Sequence, residues 1–363
     1  MKIYTITCHD VYNAGAGLQA YALNTYLKNQ GHDAEIIDYK PDYLSNHYGL
    51  WSISSKYDRP FVKIAYLLAK FPGRFFKRFE LKKKKFDSFK KDYLQVTKDR
   101  YLSCQELNER LPKADVYIAG SDQIWNPLFP NGKDPSFFLQ FAQKNAVKAS
   151  YAASFAVDSL SSDIETIDKK FISELDYISV REQTGLSIIE GMGITKARTV
   201  LDPVFLIDRD VWIKNFISKQ LVNSKYLLVY DFDKSSDMKK IAQKIAKEKN
   251  LKIITVFKND YGKFIKGIGP IEFLNLIYYS DMVISNSFHA TAFSIIFEKQ
   301  FFVCKRKENL NSRMSDLLSN FGFIDRLIDD YKLQQDVIDY QQHLYNIKKL
   351  SIYSHEYIKT ILN

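Results

Sequence analysis

The feature that most constrains the fold of this chain is a repeated order of short apolar run, polar turn and amphipathic helical stretch. Residues 2–7 and 34–38 are runs of strand length, and a glycine-containing turn and a helical pattern lie between them. The same alternation begins again near residue 226 and continues to residue 304. Strands that alternate with helices are typical of parallel sheets with right-handed crossovers. The order predicts an α/β fold of two doubly wound, Rossmann-like domains with a cleft between them.

The length of the chain also favours two domains. A chain of 363 residues is longer than the chains that usually fold around a single hydrophobic core. We predict a first domain over residues 1–204 and a second over residues 205–363, with the segment 200–206 as the connection between them. The tail from residue 331 to 362 has a mostly helical pattern, and it could pack back across the first domain.

Composition limits the class of protein. Hydrophobic residues make up 46% of the chain and aromatic residues 15%, so sizeable cores can form and disorder is not expected. No run of about 18 apolar residues occurs, and the first residues lack the long apolar core of a signal peptide. We therefore expect no transmembrane helix and a cytoplasmic location.

The spacing of cysteine and histidine residues argues against a metal site. Cys8, Cys104 and Cys304 are far apart, and neither a CxxC nor an HExxH pattern occurs. Cys8 follows the first strand beside a glycine-containing turn, so a nucleophilic role is conceivable, but a small buried residue is the safer interpretation. We expect no metal and no cofactor.

Positive charge is concentrated in one stretch of the chain. Residues 70–92 hold ten Lys and Arg against three acids, within a net charge of +10, and phenylalanines interleave with the charges at near-helical steps. A basic, aromatic helix can lie on an anionic membrane surface. A solvated helix whose phenylalanines face the core is the favoured alternative. We expect no nucleic-acid partner, because no recognised nucleic-acid-binding module accompanies the charge.

One polar turn carries a histidine where ligands usually bind. Ser285, Asn286 and Ser287 follow the apolar run 281–284, and His289 begins the helical pattern that comes next. The amino end of a helix after a strand suits an anion, and a histidine there can hold phosphate or move a proton near neutral pH. A core histidine satisfied by a neighbouring hydroxyl explains this stretch equally well.

Two turns in the first half of the chain are candidates for the wall of the cleft that faces the His289 turn. Gly15 and Gly17 permit close approach of a ligand to the backbone, although the spacing is not GxGxxG and a packing role is a fair alternative. Ser121, Asp122 and Gln123 follow the run 115–119 and offer a hydroxyl, a carboxylate and an amide. Such a set suits a polyhydroxylated ligand.

Trp125 and Asn126 extend this second cluster in the way that sugar sites often do, which weakens the alternative of a loop that only caps itself. Arg181 lies at the end of the predicted strand 177–182, where its planar fork could clamp a carboxylate or a phosphate. A salt bridge from Arg181 to Glu182 or Asp202 is the stronger interpretation when only the residues are considered.

Eight segments, taken together, resemble the motifs of the polysaccharide pyruvyl transferase family. In chain order they are NAGAGLQAYAL (13–23), GSDQIWN (120–126), SYAAS (150–154), SVRE (179–182), LDP (201–203), GPIEF (269–273), SNSFH (285–289) and NSR (311–313). They occur in the family's order and span nearly the whole chain. The resemblance implies a GT-B-like fold. It also implies transfer of pyruvate from phosphoenolpyruvate onto sugar hydroxyls, usually as a ketal on a cell-surface glycan or its lipid-linked precursor.

The resemblance implies roles for individual positions. His289 would be the acid or base at the donor site, Arg181 would hold phosphoenolpyruvate, and Asp122 would face the acceptor sugar. Further donor or anion contacts are expected from Ser285, Asn286, Ser287, Lys305 and Arg313. Acceptor contacts are expected from Asn13, Gly15, Gly17, Gln19, Ser121, Gln123 and Trp125. Through the basic stretch 70–92, the protein could also contact the inner face of the plasma membrane as a peripheral protein.

Two positions depart from the family's pattern. The glycine that usually follows the histidine is Ala290, and the arginine found two residues before the histidine in less similar, characterised members is Ser287. If that arginine is required, Arg313 or Lys305 must replace it, or the donor differs. A glycosyltransferase that uses a nucleotide-sugar on the same scaffold is therefore the alternative function. A membrane-associated assembly partner that uses the basic stretch is the third.

Overall fold

The computed structural model describes residues 1–44, 80–306, 312–328 and 336–363. The first domain is built on a parallel sheet whose strands are β1 (Lys2–Ile6), β2 (Asp33–Tyr39), β3 (Val96–Tyr101), β4 (Val116–Ala119) and β5 (Val147–Ser150). Their order along the sheet is β3-β2-β1-β4-β5. Its helices are α1 (Ala14–Asn29), α2 (Leu81–Tyr93), α3 (Cys104–Arg110), α4 (Ser162–Ser173) and α5 (Gln183–Gly191). A short parallel pair, β6 (Ser179–Val180) and β7 (Arg198–Thr199), follows beyond β5.

The second domain repeats this plan with a six-stranded parallel sheet. Its strands are β8 (Tyr226–Tyr230), β9 (Lys252–Thr255), β10 (Lys263–Phe264), β11 (Met282–Ser285), β12 (Gln300–Cys304) and β13 (Leu327–Ile328), in the order β10-β9-β8-β11-β12-β13. Its helices are α6 (Arg209–Phe216), α7 (Ser236–Glu248), α8 (Pro270–Tyr278), α9 (Phe288–Ile296), α10 (Ser312–Phe321) and α11 (Leu344–Leu362). The prediction of two Rossmann-like domains is confirmed.

The strand order sets where a ligand can bind. In each sheet the order reverses beside the first strand, between β1 and β4 in one domain and between β8 and β11 in the other. Ile6 is level with Ala119 at one reversal, and Tyr230 is level with Ser285 at the other. The crevice beyond the carboxyl ends of such strands is the usual ligand site in open α/β sheets. The turns after Ala119 and Ser285 both open at such a crevice.

The predicted strand 177–182 forms a ladder only over the two residues of β6. Tyr177 and Val180 also make single bridges, to Ala149 and Ala153. The connection between the domains is not a loose linker. Residues Pro203–Leu206 form a buried 3-10 turn that packs against α1. The domain boundary near residue 204 stays a prediction.

The last helix packs against the first domain. Tyr357 and Ile358 of α11 are buried in one cluster with Leu23 and Tyr26 of α1. The Tyr357 hydroxyl donates to the carbonyl oxygen of Ser150 at 3.0 Å. The chain therefore crosses back to the first domain after completing the second. Residues 331–335 of the expected helical tail lie outside the described residues.

Helix α2, the described part of the basic stretch, lies between the two domains. The Phe89 ring is 2% exposed and packs near Gly17 of α1. Lys90 pairs with Asp38 of β2 at 2.6 Å. On the other side, Lys85 pairs at 2.8 Å with Glu272 of α8. The core-facing alternative is therefore correct for Phe89. Residues 45–79, which include the first part of the basic stretch, lie outside the described residues.

Among the helices that the structure describes, none has both the length and the apolar character needed to cross a membrane.

Candidate active site between the two domains

A cleft of about 200 Å³ opens where the carboxyl ends of the two sheets face each other. Its walls combine residues of both domains: Asn13, Asp122, Gln123, Phe232, Asn286, Ser287, Phe288, His289, Arg306, Arg313 and Met314. Seven of these are positions that the sequence had marked, and they come from four separate segments of the chain. The structure thus brings together the donor and acceptor candidates that lie furthest apart along the chain.

His289 is held at the start of α9 by local structure. Ser287 caps this helix, with its hydroxyl accepting from the Ala290 amide at 3.4 Å. The imidazole lies against the backbone of Gly15 at the start of α1, because a β-carbon at Gly15 would come within 2.1 Å of Nδ1 of His289. A side chain at position 15 would displace the histidine. Gly15 therefore has a packing role, which was the alternative to ligand binding in the sequence analysis.

A buried carboxylate joins the histidine to the arginine. Oδ2 of Asp202 lies 3.5 Å from Nε2 of His289 and 2.8 Å from Nη1 of Arg181. The Ser121 hydroxyl is 3.5 Å from the same oxygen. Burial by itself raises the pKa of the Asp202 carboxyl, but His289 and Arg181 outweigh burial and hold the pKa at about 2. Asp202 is therefore a carboxylate at any physiological pH.

Arg181 is enclosed by three carboxylates. Besides Asp202, its guanidinium lies 3.4 Å from Asp122 and 3.9 Å from Glu182, and it stacks over the Phe288 ring at 4.2 Å. Burial alone would lower the pKa of Arg181, and the three acids outweigh it and raise the pKa. The salt-bridge interpretation of Arg181 is therefore correct. Its side chain is buried among these acids and is not among the residues of the cleft wall.

Glu182 is held as a structural acid behind the arginine. Its Oε1 accepts from the Ser154 hydroxyl at 2.8 Å and from the Phe155 and Ala156 amides at 3.1 and 3.3 Å. Burial raises the pKa of the Glu182 carboxyl, and Arg181 opposes that shift. The SYAAS and SVRE segments therefore meet to place one acid against Arg181.

Asp122 reaches the cleft from a strained turn. Its φ of +72° lies in the left-handed region, which non-glycine residues seldom adopt and which often marks a functional turn. The turn is tied down by buried groups: the Ser121 amide donates to Oε1 of Gln19 at 3.1 Å, and Thr7 donates to the Ser121 carbonyl at 2.8 Å. Gln19 and Ser121 are fully buried. They position Asp122 rather than contact a ligand.

Arg313 is a buried cation at the floor of the cleft. It is 7% exposed, and within the described residues its guanidinium has neither a hydrogen bond nor an ion pair. Burial, and then the like charge of Arg181, lower the pKa of Arg313 to about 10. A buried cation without a paired anion is unfavourable, so this position favours an anionic ligand.

Arg306 is a cleft residue that the sequence analysis had not marked individually. It follows β12, and it binds both carboxylate oxygens of Asp233, at 3.0 and 3.3 Å. Asn286 donates to Asp231 at 3.1 Å and to Asp233 at 3.4 Å, which joins the SNSFH turn to the same group. Its position directly after a strand's carboxyl end is the signal that could have identified Arg306.

Several expected contacts are corrected by the structure. Trp125 is fully buried, stacks on Phe138 and donates its indole N–H to the Phe137 carbonyl at 3.0 Å, so it does not line the cleft. Gly17 packs against Phe89 of α2 and does not contact the cleft. The Ser285 hydroxyl accepts a hydrogen bond from the Ser287 amide at 2.8 Å, so it stabilises its own turn and does not line the cleft.

Lys305 is exposed and is not among the residues of the cleft wall.

The described residues give no support to nucleophilic or metal chemistry. Burial, and then Asp122, raise the pKa of the Cys8 thiol well above its usual range, which disfavours the reactive thiolate. Among the residues that the structure describes, no group of three or more His, Cys, Asp or Glu could hold a metal ion.

Two solved structures are similar to this chain over nearly its whole length. A UDP-N-acetylglucosamine 2-epimerase matches with a TM-score of 0.55 and 11% identity, over 100% of this chain and 95% of that chain. S. aureus MnaA, in a structure with UDP, matches with a TM-score of 0.51 and 12% identity. The match covers 96% of this chain and 89% of that chain. At these identities the similarity shows the fold alone. That fold is GT-B-like, as expected. No curated protein sequence matches the chain significantly.

The family itself is shown by the sequence. The model of the polysaccharide pyruvyl transferase family matches residues 13–308, which include the LDP segment with Asp202 and every described residue of the cleft wall except Arg313 and Met314. The chain belongs to the polysaccharide pyruvyl transferase family.

Proposed function

We propose that this protein transfers pyruvate from phosphoenolpyruvate to two hydroxyls of a sugar and forms a pyruvate ketal. The sugar would belong to a cell-surface polysaccharide or to its lipid-linked precursor. Family membership supports the transferase class. The choice of donor rests on one observation: the buried Arg313 guanidinium lines the same cleft as His289, and it has no ion pair with any residue that the structure describes.

Phosphoenolpyruvate fits the charges of the cleft. It carries a carboxylate and a phosphate on adjacent atoms, and Arg313 needs an anion to offset its burial. The Ser287 turn and the amino end of α9 add backbone N–H groups that suit a phosphate oxygen. Arg306 is a second cation among the residues of the cleft wall. Together these groups offset the loss of the arginine that characterised members have at position 287.

His289 is the proposed acid. The reaction begins when a proton is added to the methylene carbon of phosphoenolpyruvate, which leaves an oxocarbenium-like centre at the carbon that bears the phosphate. An imidazole can carry this proton near neutral pH. The Asp202 carboxylate, 3.5 Å from Nε2, restrains the orientation of the ring. Asp202 is thus a positioning residue, since it acts through His289 and Arg181.

Asp122 is the proposed base on the acceptor side. A sugar hydroxyl bonds to the oxocarbenium-like carbon and gives its proton to the carboxylate. A second hydroxyl then bonds to the same carbon, and phosphate leaves with the remaining proton. Two C–O bonds form, the C–O bond to phosphate breaks, and one acceptor proton replaces the proton that His289 gave to the methyl group. Gln123 and Asn13, in the same wall, are suited to bind further sugar hydroxyls.

A thermal-shift titration of the full chain tests the donor. Phosphoenolpyruvate should raise the melting temperature by a few degrees at saturation, because it binds only the folded state. The shift should be lost in Arg313→Gln and kept in Arg110→Gln, a matched change at an exposed arginine of α3. Stabilisation by UDP- or GDP-sugars alone would instead favour a glycosyltransferase and overturn the proposal.

A further inference from the structure

The helix that carries Arg313 also reaches across to the first domain. Asp316 lies three residues after Arg313 on α10, so the two side chains are neighbours on the surface of that helix. Oδ2 of Asp316 accepts a hydrogen bond from the Gln183 amide at 2.7 Å. Gln183 is the first residue of α5. A carboxylate of the second domain therefore holds the amino end of a helix in the first.

The amino end of α5 is not capped by its own N-cap side chain. Glu182 occupies the N-cap position, but its side chain makes no capping hydrogen bond. Its Oε1 accepts instead from Ser154 and from two backbone amides behind Arg181. The first amides of a helix need an acceptor, and a negative charge at this end also interacts favourably with the helix dipole. Asp316 supplies the cap that the buried Glu182 does not.

Backbone amides face the Asp316 carboxylate. Burial raises the pKa of Asp316, and the amides of Gln183 and Thr184 oppose that shift. Because these partners are backbone N–H groups, the contact depends on an acceptor oxygen, and an asparagine side chain offers one as well. A change to asparagine therefore keeps the contact, whereas a change to alanine removes it.

The opposite face of α10 is fixed in the second domain. Leu317, Leu318 and Phe321 are buried in a core cluster with residues of β8, β11 and β12. Arg313, on the same helix, lines the candidate active-site cleft. The helix is thus anchored in the second domain by its apolar face and joined to the first domain by Asp316. The position of Arg313 relative to the first-domain wall of the cleft depends on that contact.

We propose that Asp316 is a positioning residue for the donor: it joins α10 to α5 and so holds Arg313 in place across the boundary between the domains. When the contact is lost, α10 stays in the second domain, but only a fraction of the molecules present Arg313 in its binding position. The apparent affinity for the donor falls in proportion to that fraction. The inference rests on the proposed function for the identity of the donor.

Calorimetric titration of the full chain with phosphoenolpyruvate tests this role. Asp316→Ala should weaken binding about fivefold, which corresponds to the loss of one typical helix cap. Asp316→Asn should bind within about twofold of the wild type, because its amide oxygen can accept from Gln183. Loss of binding in Asp316→Asn equal to that in Asp316→Ala would overturn the proposal.

Ser103→Ala is the matched control. The Ser103 hydroxyl caps α3 by accepting from the Glu106 amide at 3.2 Å, and Ser103 is not among the residues of the cleft wall. Ser103→Ala and Asp316→Ala should lose similar stability in urea, since each removes one cap. Only Asp316→Ala should lose affinity for phosphoenolpyruvate. Equal affinity in the two variants would mean that Asp316 only caps a helix, and it would overturn the proposal.

Hydrogen exchange of the chain without ligand tests the contact independently of the donor. Asp316→Ala should speed exchange of the amides in both α5 and α10, whereas Ser103→Ala should speed it in α3 alone. Faster exchange in α5 without a change in α10 would overturn the proposal. If the wild type fails to bind phosphoenolpyruvate while both helices exchange faster in Asp316→Ala, the proposed donor is wrong and the link between the domains stands.

Discussion

Oδ2 of Asp202 lies 3.5 Å from Nε2 of His289, and the same oxygen receives a 2.8 Å hydrogen bond from Arg181. Asp202 lies at the end of the predicted first domain, whereas His289 lies at the start of a helix of the second. One buried carboxylate therefore fixes the distance between the two domains at the point where the chemistry is proposed. Activity and stability should both depend on it.

Asp202→Asn should lower the rate of pyruvate transfer at least about tenfold, because it removes the carboxylate charge that restrains both the His289 imidazole and the Arg181 guanidinium. The turnover number should fall more than the affinity for donor. Asp168→Asn is the control, since Asp168 is equally buried on α4 and has no role in the site. Unchanged turnover in Asp202→Asn would contradict the positioning role.

The same two aspartates should have opposite effects on acid stability. The pKa of Asp202 is held at about 2, below its usual 3.8, so its charge stabilises the folded state above pH 3.8 by about 2 kcal/mol, and this is lost as pH falls to 2. Burial raises the pKa of Asp168 to about 7. Asp168 therefore destabilises the fold increasingly as pH rises from 3.8 to 7.

Urea unfolding across pH checks both signs. The stability advantage of the wild type over Asp202→Asn should shrink between pH 4 and 2. Asp168→Asn should be more stable than the wild type at pH 7, and that difference should vanish as pH falls toward 4. Parallel pH profiles for the two variants would contradict this reasoning.

Much of this architecture was predictable from local patterns. Apolar runs such as β11 and helix signals such as Ser287 depend on neighbouring residues, so the α/β alternation and the position of His289 after a strand followed directly. The crevice at the strand ends also followed, because parallel strands carry their turns to one edge.

The partners of those residues depend on contacts that span the chain. Asp202 and His289 are 87 positions apart in the sequence, and no local pattern joins them. Trp125 was misassigned for a similar reason: the Phe137 carbonyl satisfies its indole N–H in the core, so the tryptophan needs no ligand. Neighbouring polar residues could not reveal that buried partner.

Gly15→Ala should reduce activity because its β-carbon would come within 2.1 Å of Nδ1 of His289. The imidazole must shift, and we expect a loss of activity of at least about tenfold with a loss of stability of about 1–3 kcal/mol. Gly191→Ala, at the end of α5 where a β-carbon meets nothing within 4 Å, should change neither. Activity near the wild-type level in Gly15→Ala would show that the histidine can move freely.

Arg313→Met should make the ligand-free protein more stable. The pKa of Arg313 is lowered from 12.5 to about 10, so its charge disfavours folding by up to about 3 kcal/mol at neutral pH, and a methionine of similar length avoids that cost. Stabilisation by phosphoenolpyruvate should disappear in the same variant. Chemical unfolding with and without phosphoenolpyruvate measures both effects, and a less stable variant would mean that Arg313 has a partner.

Asp233 should compete with the donor for Arg306. The carboxylate binds the arginine through both oxygens, at 3.0 and 3.3 Å, so the guanidinium must give up part of that pair before it can meet a phosphate. Asp233→Asn should therefore tighten phosphoenolpyruvate several-fold, and Arg306→Gln should weaken it by about tenfold. Calorimetric titration of each variant with phosphoenolpyruvate measures both changes in affinity. Weaker binding in Asp233→Asn would mean instead that the carboxylate holds Arg306 in its binding position, and the pair would then act as a fixed unit.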